Sequence, residues 1–439
     1  MPVVVTSSPV VPAFAPIDPK AMPKTHPIVL RAARYFDGRG DAVIDGGVFV
    51  LVENGLISRV GSAKELTVPT DAETVDLGDA TLMPGFIDAH THVTHERGPE
   101  YYKDDFEFRH RPVPEQALYA ASYAKKVLEA GFTTVRDLGS DDLVDVGLRN
   151  AIKADLVPGP RMLVAVHPLS ATGGHGDGDN TPPDRVAPRT LFDGVCDSPD
   201  ECVKAVRLQV KYGADVIKVM ASGGVLSLAD AVDSPQLTKE TLEALISEAH
   251  RLGKKTAAHC HGDVAGRAAI EAGIDSIEHG SFLKPDTLAL MRRKGTVLIP
   301  TLLASDWLTS GDHASKLPPP IQIKIKQATE ARSVMFREAL KSGVRIGFGT
   351  DSGVSPHGMN AREFSLMTGL GMAPAAALRA AMSVDAELLG VDRQTGTLEA
   401  GKLADIVAVP GNPLLDIRQT ENVVFVMRAG RIYKKPASR

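Results

Sequence analysis

The sequence predicts an α/β protein: a (β/α)8 TIM barrel with a small β-sandwich built from both chain ends. Three observations carry this. Apolar strand candidates alternate with helical stretches through the middle of the chain, most of those helices stop at a glycine, and short strands with tight turns occupy both ends.

The N-terminal part, residues 27–80, reads as short strands at Pro27–Ala32, Gly47–Val52, Leu56–Gly61 and Glu73–Leu77, with Asn54-Gly55 as a hairpin turn signal. The same texture returns in 397–439, at Ile406–Val409, Val423–Arg428 and Gly430–Lys434. One sandwich assembled from both ends is expected, with the barrel, 81–396, between them. Eight strands are predicted there: Leu82–Asp88, Thr133–Asp137, Arg161–His167, Val216–Ala221, Lys255–His259, Ser276–His279, Thr296–Thr301 and Arg345–Thr350. Helices are expected over Glu115–Ala130, Pro199–Tyr212, Lys239–Leu252 and Asp263–Ala272. Gly131, Gly213, Gly253 and Gly273 follow them, where a helix C-terminus favours glycine. A barrel takes about 250 residues, so 439 residues leave room for the second module. The long connection Pro168–Pro199, rich in Gly, Asp and Pro, is expected to cover the barrel mouth.

Composition narrows the function classes. A formal charge of −5 gives no electrostatic case for nucleic acid. There is no apolar run of about 18 residues, so no membrane-spanning helix is expected. Cys196 and Cys202 are close enough to pair, but three cysteines make no disulfide framework, and free thiols are the expectation. Residues 1–26 carry prolines at 9, 12, 16, 19 and 23 and lack a basic start, which reads as an arm rather than a signal peptide. A cytoplasmic protein is expected, with a processed or trimmed leader and export as the alternative.

A barrel of this kind places its chemistry at the C-terminal ends of its strands. Strand one ends in His90-Thr91-His92, and positions two apart on an extended segment face the same way, so both imidazoles can reach one ion. Lys218 lies mid-strand among apolar residues, where an unpartnered ammonium is costly. It is either paired or snorkelling, or it is a neutral amine that takes up CO2 as a carbamate and bridges two metals. His259, His279 and Asp351 end strands five, six and eight. Each has a bland structural reading alone; together they point to a metal centre.

These residues also carry a resemblance. The run Met83-Pro84-Gly85-Phe86-Ile87-Asp88-Ala89-His90-Thr91-His92 resembles the opening signature of the amidohydrolase superfamily, and Gly396–Asp405 resembles its closing one. Val216–Val225, His259–Gly262 and Ser276–Gly280 are most similar to the imidazolonepropionase-like branch, which includes zinc dipeptidases and bacterial enzymes that degrade ochratoxin A. The resemblance implies two divalent ions, zinc by default: one on His90, His92 and Asp351, the other on His259 and His279, bridged by carbamylated Lys218. It implies that Asp351 is the proton-transferring catalytic residue. It further implies carboxypeptidase- or dipeptidase-like amide hydrolysis of small molecules or dipeptides, releasing a C-terminal amino acid. Ochratoxin A, split to ochratoxin alpha and phenylalanine, is one such substrate. A homo-oligomer is also implied. Cyclic-amide opening, deamination and a non-catalytic scaffold are the alternatives; the presence of Lys218 weighs against deamination and the full ligand set against a scaffold.

Four residues are candidates for substrate binding. His167 ends strand three and equally could cap the following loop. His175, in Gly173-Gly174-His175-Gly176, could lie over the substrate. Arg136 could meet a carboxylate, although pairing with Asp137 or another acid is favoured. Gly224 could admit a close backbone approach, or simply serve a tight turn.

Overall fold

The computed structural model describes residues 17, 24–65, 67–98, 100–177, 187–228 and 230–436. The expected arm, 1–26, lies outside them apart from residues 17 and 24–26. Both chain ends enter one eight-stranded sheet. Ile28–Tyr35 pairs with Ile44–Glu53, which turns through Asn54 and Gly55, both with positive φ, into Leu56–Ser62. From the other end, Ile406–Pro410 joins antiparallel to Ala80–Pro84, and Phe425–Arg428 and Arg431–Lys434 follow. Leu30, Val50 and Leu82 share one apolar core there with Ile406, Phe425 and Met427.

The middle of the chain is a TIM-barrel-like α/β arrangement. Parallel strands Phe86–Thr91, Phe132–Asp137 and Arg161–Val164 form one sheet, and Val216–Met220, Lys255–Cys260, Ser276–His279 and Val297–Ile299 another. Hydrogen bonds cross the gap between them: Asp215 N donates to Val164 O at 2.7 Å, and Leu169 N to Lys218 O at 2.8 Å. The helices Val113–Glu129, Pro199–Lys211, Lys239–Arg251 and Asp263–Glu271 occupy the expected places, and all four following glycines have positive φ. Ser198 and Glu201 form a reciprocal capping box at the start of Pro199–Lys211.

Three expectations need correction. The first strand, expected as Leu82–Asp88, is split at Gly85: Ala80–Pro84 belongs to the end sheet and Phe86–Thr91 to the parallel one. Pro84 has no N–H for a continuing ladder, and a Cβ at Gly85 would collide with Thr133. The eighth strand, Arg345–Thr350, is not a regular strand. Its contacts are single bridges and bonds, with Leu298 N donating to Arg345 O and Ala89 N to Phe348 O, each at 2.9 Å. Gly347 and Gly349 interrupt it, and Asp385 accepts from Phe348 N at 3.2 Å where a ladder partner would stand. Third, Cys196 and Cys202 are joined in a disulfide rather than free. Cys202 lies in the first turns of helix Pro199–Lys211, and the chain entering the cap brings Cys196 to a Cα–Cα distance of 5.1 Å, within bridging range. Cys260 is free and buried.

Among the described residues no helix is long and apolar enough to cross a membrane.

A candidate metal centre at the strand ends

His90 and His92 end the first barrel strand and share one carboxylate oxygen. Asp351 Oδ1 lies 3.5 Å from His90 Nε2 and 3.3 Å from His92 Nε2. On the other side of the cluster His259 Nδ1 faces His279 Nε2 at 3.0 Å. Lys218 is 1 % exposed on the strand between these groups. Burial lowers its ammonium to about 8, against the opposing charges of Glu278 and Asp351. Burial works against the charge of Asp351, but His90, His92 and Lys218 outweigh it and hold its carboxyl well below the usual range.

Whether these residues suit a metal is decided by their second nitrogens. His92 Nδ1 donates to Gly139 O at 3.0 Å, and His259 Nε2 donates to Gly223 O at 3.1 Å. A carbonyl only accepts, so in each contact the bonded nitrogen carries the proton and the other turns to the cluster. For His92 burial works against the charge, but the hydrogen bond and charge of Asp351 outweigh it and raise that imidazole above its ordinary value. His90 Nδ1 lies 2.8 Å from Glu278 Oε2. Glu278 is held at about 2, burial being outweighed by Arg136 and His90, so it too accepts. His279 Nδ1 lies 2.6 Å from Thr301 Oγ1. All four imidazoles are thus anchored on one edge with the other edge turned to the cluster, the arrangement of metal-binding histidines. Burial first, with neighbouring charges, lowers His90 to about 4 and His259 and His279 well below the ordinary value. They stand neutral, as a ligand must. Donor atoms of His90, His279 and Asp351 lie within 4.8 Å of one another, and so do those of His259, His261 and His279.

The backbone carries a matching signal. Val166, His279, Thr301 and Asp351, all at strand ends, have φ of 64°, 70°, 48° and 58°. Such conformations cost about 1–3 kcal/mol each and gather at functional sites. At His279 the effect is direct: the turn breaks strand alternation, so adjacent Glu278 and His279 both reach the cluster.

The substrate-binding candidates separate. His175 is in the cluster, its ring stacked on His259 with centroids 4.3 Å apart and Nδ1 3.0 Å from Ser227 Oγ. Ser227 in turn bonds to Asp230, which pairs with Lys324 at 3.0 Å. Arg136 is buried and bonds to Ala89 O at 2.5 Å, Ser276 Oγ at 3.1 Å and Glu278 Oε1 at 3.0 Å. It is paired with an acid, and that acid is Glu278, not Asp137. His167 is 3 % exposed, and among the described residues neither ring nitrogen has a hydrogen-bond partner. It stands beside Asp141 at 3.7 Å and Phe192, apart from the metal-ligand cluster. Gly224 is required by its neighbour: a Cβ there would enter the His175 ring.

Sequence reasoning passed over His261, Glu278, Thr301 and Arg332. His261 had a signal, since it repeats at strand five the two-residue spacing of His90 and His92. The other three act through contacts from distant segments.

Fold and site together define a hydrolase whose imidazoles and carboxylate form a candidate metal site on a TIM-barrel-like scaffold. A profile of the amidohydrolase family matches residues 81–433, and the chain belongs to that family, an enzyme class that hydrolyses amide bonds and is typically metal-dependent. The chain is 32% identical to ochratoxinase of Aspergillus niger over 430 residues, covering 93% of this chain and 87% of that protein. Imidazolonepropionase of Pseudomonas putida is 27% identical over 410 residues, 86% of this chain and 90% of that one. Among solved structures, a Xaa-Pro dipeptidase with methionine bound in its active site superposes with TM-score 0.87 at 34% identity, covering 93% of this chain and 100% of that one. The A. niger ochratoxinase structure superposes with TM-score 0.83 at 28% identity, with 94% and 97% covered.

Proposed function

We propose that this chain is a binuclear metal-dependent amide hydrolase that releases a C-terminal amino acid from N-acyl amino acids or dipeptides, ochratoxin A among them. The observation that carries the reading is the set of inward-facing donors whose outer edges are each tied down. His90, His92 and Asp351 would hold one ion, His259 and His279 the other, with Lys218 between. When bound, two divalent ions, zinc by preference for this donor set, would supply Lewis-acid activation of water and of the amide carbonyl.

The chain's own residues do the rest. Lys218 is brought by burial to about 8, so a neutral amine, the form that takes up CO2, is within reach near neutral pH. Asp351 is kept ionised, with Oδ1 central to the cluster, and accepts the proton of the attacking water; it returns that proton to the departing amine. His175 sits over His259 and meets the carbonyl side of the substrate. An apolar wall stands beside the site, formed by Val225, Phe282, Trp307, Ile325 and Val354. Val225 follows Gly224, and Val354 N bonds to Asp351 O at 3.0 Å, so the wall is continuous with the polar centre. It favours a substrate with a bulky apolar group next to its amide. His167, buried beside Asp141 and Phe192, stays a candidate for a carbonyl-binding or supporting role. We read segment 345–350, irregular as its pairing is, as the eighth strand closing the barrel, and the end sheet as a sandwich folded over its shared core.

Product analysis tests the reading. N-acyl amino acids, Xaa-Pro and Xaa-Arg dipeptides, ochratoxin A and a cyclic amide would be offered to wild type and Lys218→Ala. A free C-terminal amino acid, lost in the variant, is expected. Ring opening without turnover of linear amides would instead favour an imidazolonepropionase-like activity and overturn the substrate assignment.

A further inference from the structure

Asp230 lies outside the metal-ligand cluster, yet its carboxylate gathers donors from several segments around the mouth. Its side chain is 7 % exposed and pairs with Lys324 Nζ at 3.0 Å. Oδ2 accepts from Gly224 N and from Gln236 Nε2, each at 3.0 Å, and Oδ1 meets the Ser227 hydroxyl. Lys324, on helix Pro319–Ser342, also donates to Gly224 O at 3.1 Å and to Ser227 O at 2.8 Å. Burial works against the charge of this carboxyl, but Ser227, Lys324 and His175 outweigh it and hold it below its ordinary value. A buried pair of charges is weak evidence for stability by itself; the telling property is what this one holds in place.

The bonds converge on His175. Its Nδ1 lies 3.0 Å from Ser227 Oγ, and its backbone N donates to Gln236 Oε1 at 3.0 Å. Ser227 and Gln236 are both partners of Asp230, which thereby reaches the ring and the main chain of one histidine. Gly224, whose missing Cβ makes room for that ring, is bonded through its N to Asp230 and through its O to Lys324. Proton counting then fixes the ring. A carboxylate only accepts, so the Ser227 hydroxyl spends its one proton on Asp230 and can only accept from His175. In the neutral imidazole the proton is therefore on Nδ1, and Nε2 is bare. Among the described residues Nε2 makes no hydrogen bond, and the ring is seated over His259 with centroids 4.3 Å apart.

We propose that Asp230 is a positioning residue for the hydrolysis: through Ser227 and Gln236 it sets the tautomer and the seat of His175, which presents Nε2 as a hydrogen-bond acceptor on the carbonyl side of the substrate. A bare nitrogen there suits the hydroxyl that water leaves on the attacked carbon once its other proton is on Asp351. This rests on the reading that His175 meets the substrate, and a double-mutant cycle separates the two. On an amide that the wild type hydrolyses, kcat and KM would be measured for wild type, His175→Ala, Asp230→Asn, Ser227→Ala and the two doubles with His175→Ala, with bound Co2+ counted in each. His175→Ala is expected to lose about 100-fold in kcat/KM, and Asp230→Asn and Ser227→Ala about 10-fold each, carried by kcat. In the His175→Ala background each second substitution should cost less than about 2-fold, because its effect runs through the missing ring. Bound Co2+ should be the same in all. If Asp230→Asn does not fold, as judged by circular dichroism, the Ser227→Ala cycle decides. Losses that multiply in the doubles, or Co2+ lost from Asp230→Asn, would overturn the proposal and leave His175 a substrate contact. Unchanged kinetics in His175→Ala would overturn the reading of His175 itself, and the proposal with it.

Discussion

At the scale of single residues, the clustered histidines were legible because their chemistry is local. His90-Thr91-His92 announces a shared face by its spacing alone, and the opening run around it sets the register. What holds those histidines was not legible. Glu278 reaches His90 and Arg136 from another strand, across sequence separations of 188 and 142 residues. Alternation along Ser276–His279 would also have put adjacent Glu278 and His279 on opposite faces; the positive φ of His279 defeats that rule. Gly224 shows the same limit. Its sequence context suggested room for a ligand, whereas its real constraint is the His175 ring packed against it. Gly224→Ala is therefore expected to destabilise the protein by about 1–3 kcal/mol through overpacking, or to expel the His175 ring. Thermal unfolding together with KM distinguishes a lowered Tm from a displaced ring.

At the scale of elements, helix boundaries followed from glycines and caps, but strand eight did not. Its apolar pattern was right about its location and wrong about its regularity, because Gly347, Gly349 and the Asp385 carboxylate break the ladder. The neighbouring helix Leu302–Thr309 begins on another buried acid: Glu363 accepts from Leu302 N at 2.9 Å and Leu303 N at 2.6 Å. Burial dominates there and raises Glu363 to about 8. The sign follows from proton counting. Between about 4.5, the unfolded value, and about 8 the folded state binds more protons than the unfolded one, so stability falls as pH rises through that window. Chemical unfolding at several pH values should show this decline in the wild type and a flatter profile in Glu363→Gln. An equal slope in both would assign the pH dependence to other groups.

At the scale of the whole molecule, two chain ends share one sheet that is bonded to the starts of the parallel strands. Asp405, in the closing signature, accepts from Arg161 Nη1 at 2.6 Å and from Ala429 N at 2.8 Å, tying that sheet to the start of a barrel strand. Asp88 does the same work near the site, accepting from Thr350 Oγ1 at 2.6 Å and Asn360 Nδ2 at 2.8 Å. The alternating pattern was enough to foresee the TIM-barrel-like α/β middle, since strand and helix periods are local properties. The disulfide between Cys196 and Cys202 was not foreseen, since two nearby cysteines fix a pairing only once the turn into the helix is known.

The central claim is that two metal ions act together in amide hydrolysis. Its most direct test is activity against added Zn2+ for chelator-stripped enzyme, using whichever linear amide proves to be turned over. No activity is expected without metal, with a rise that is complete only at the second equivalent per chain. Full activity at one equivalent, or in the stripped protein, would contradict it.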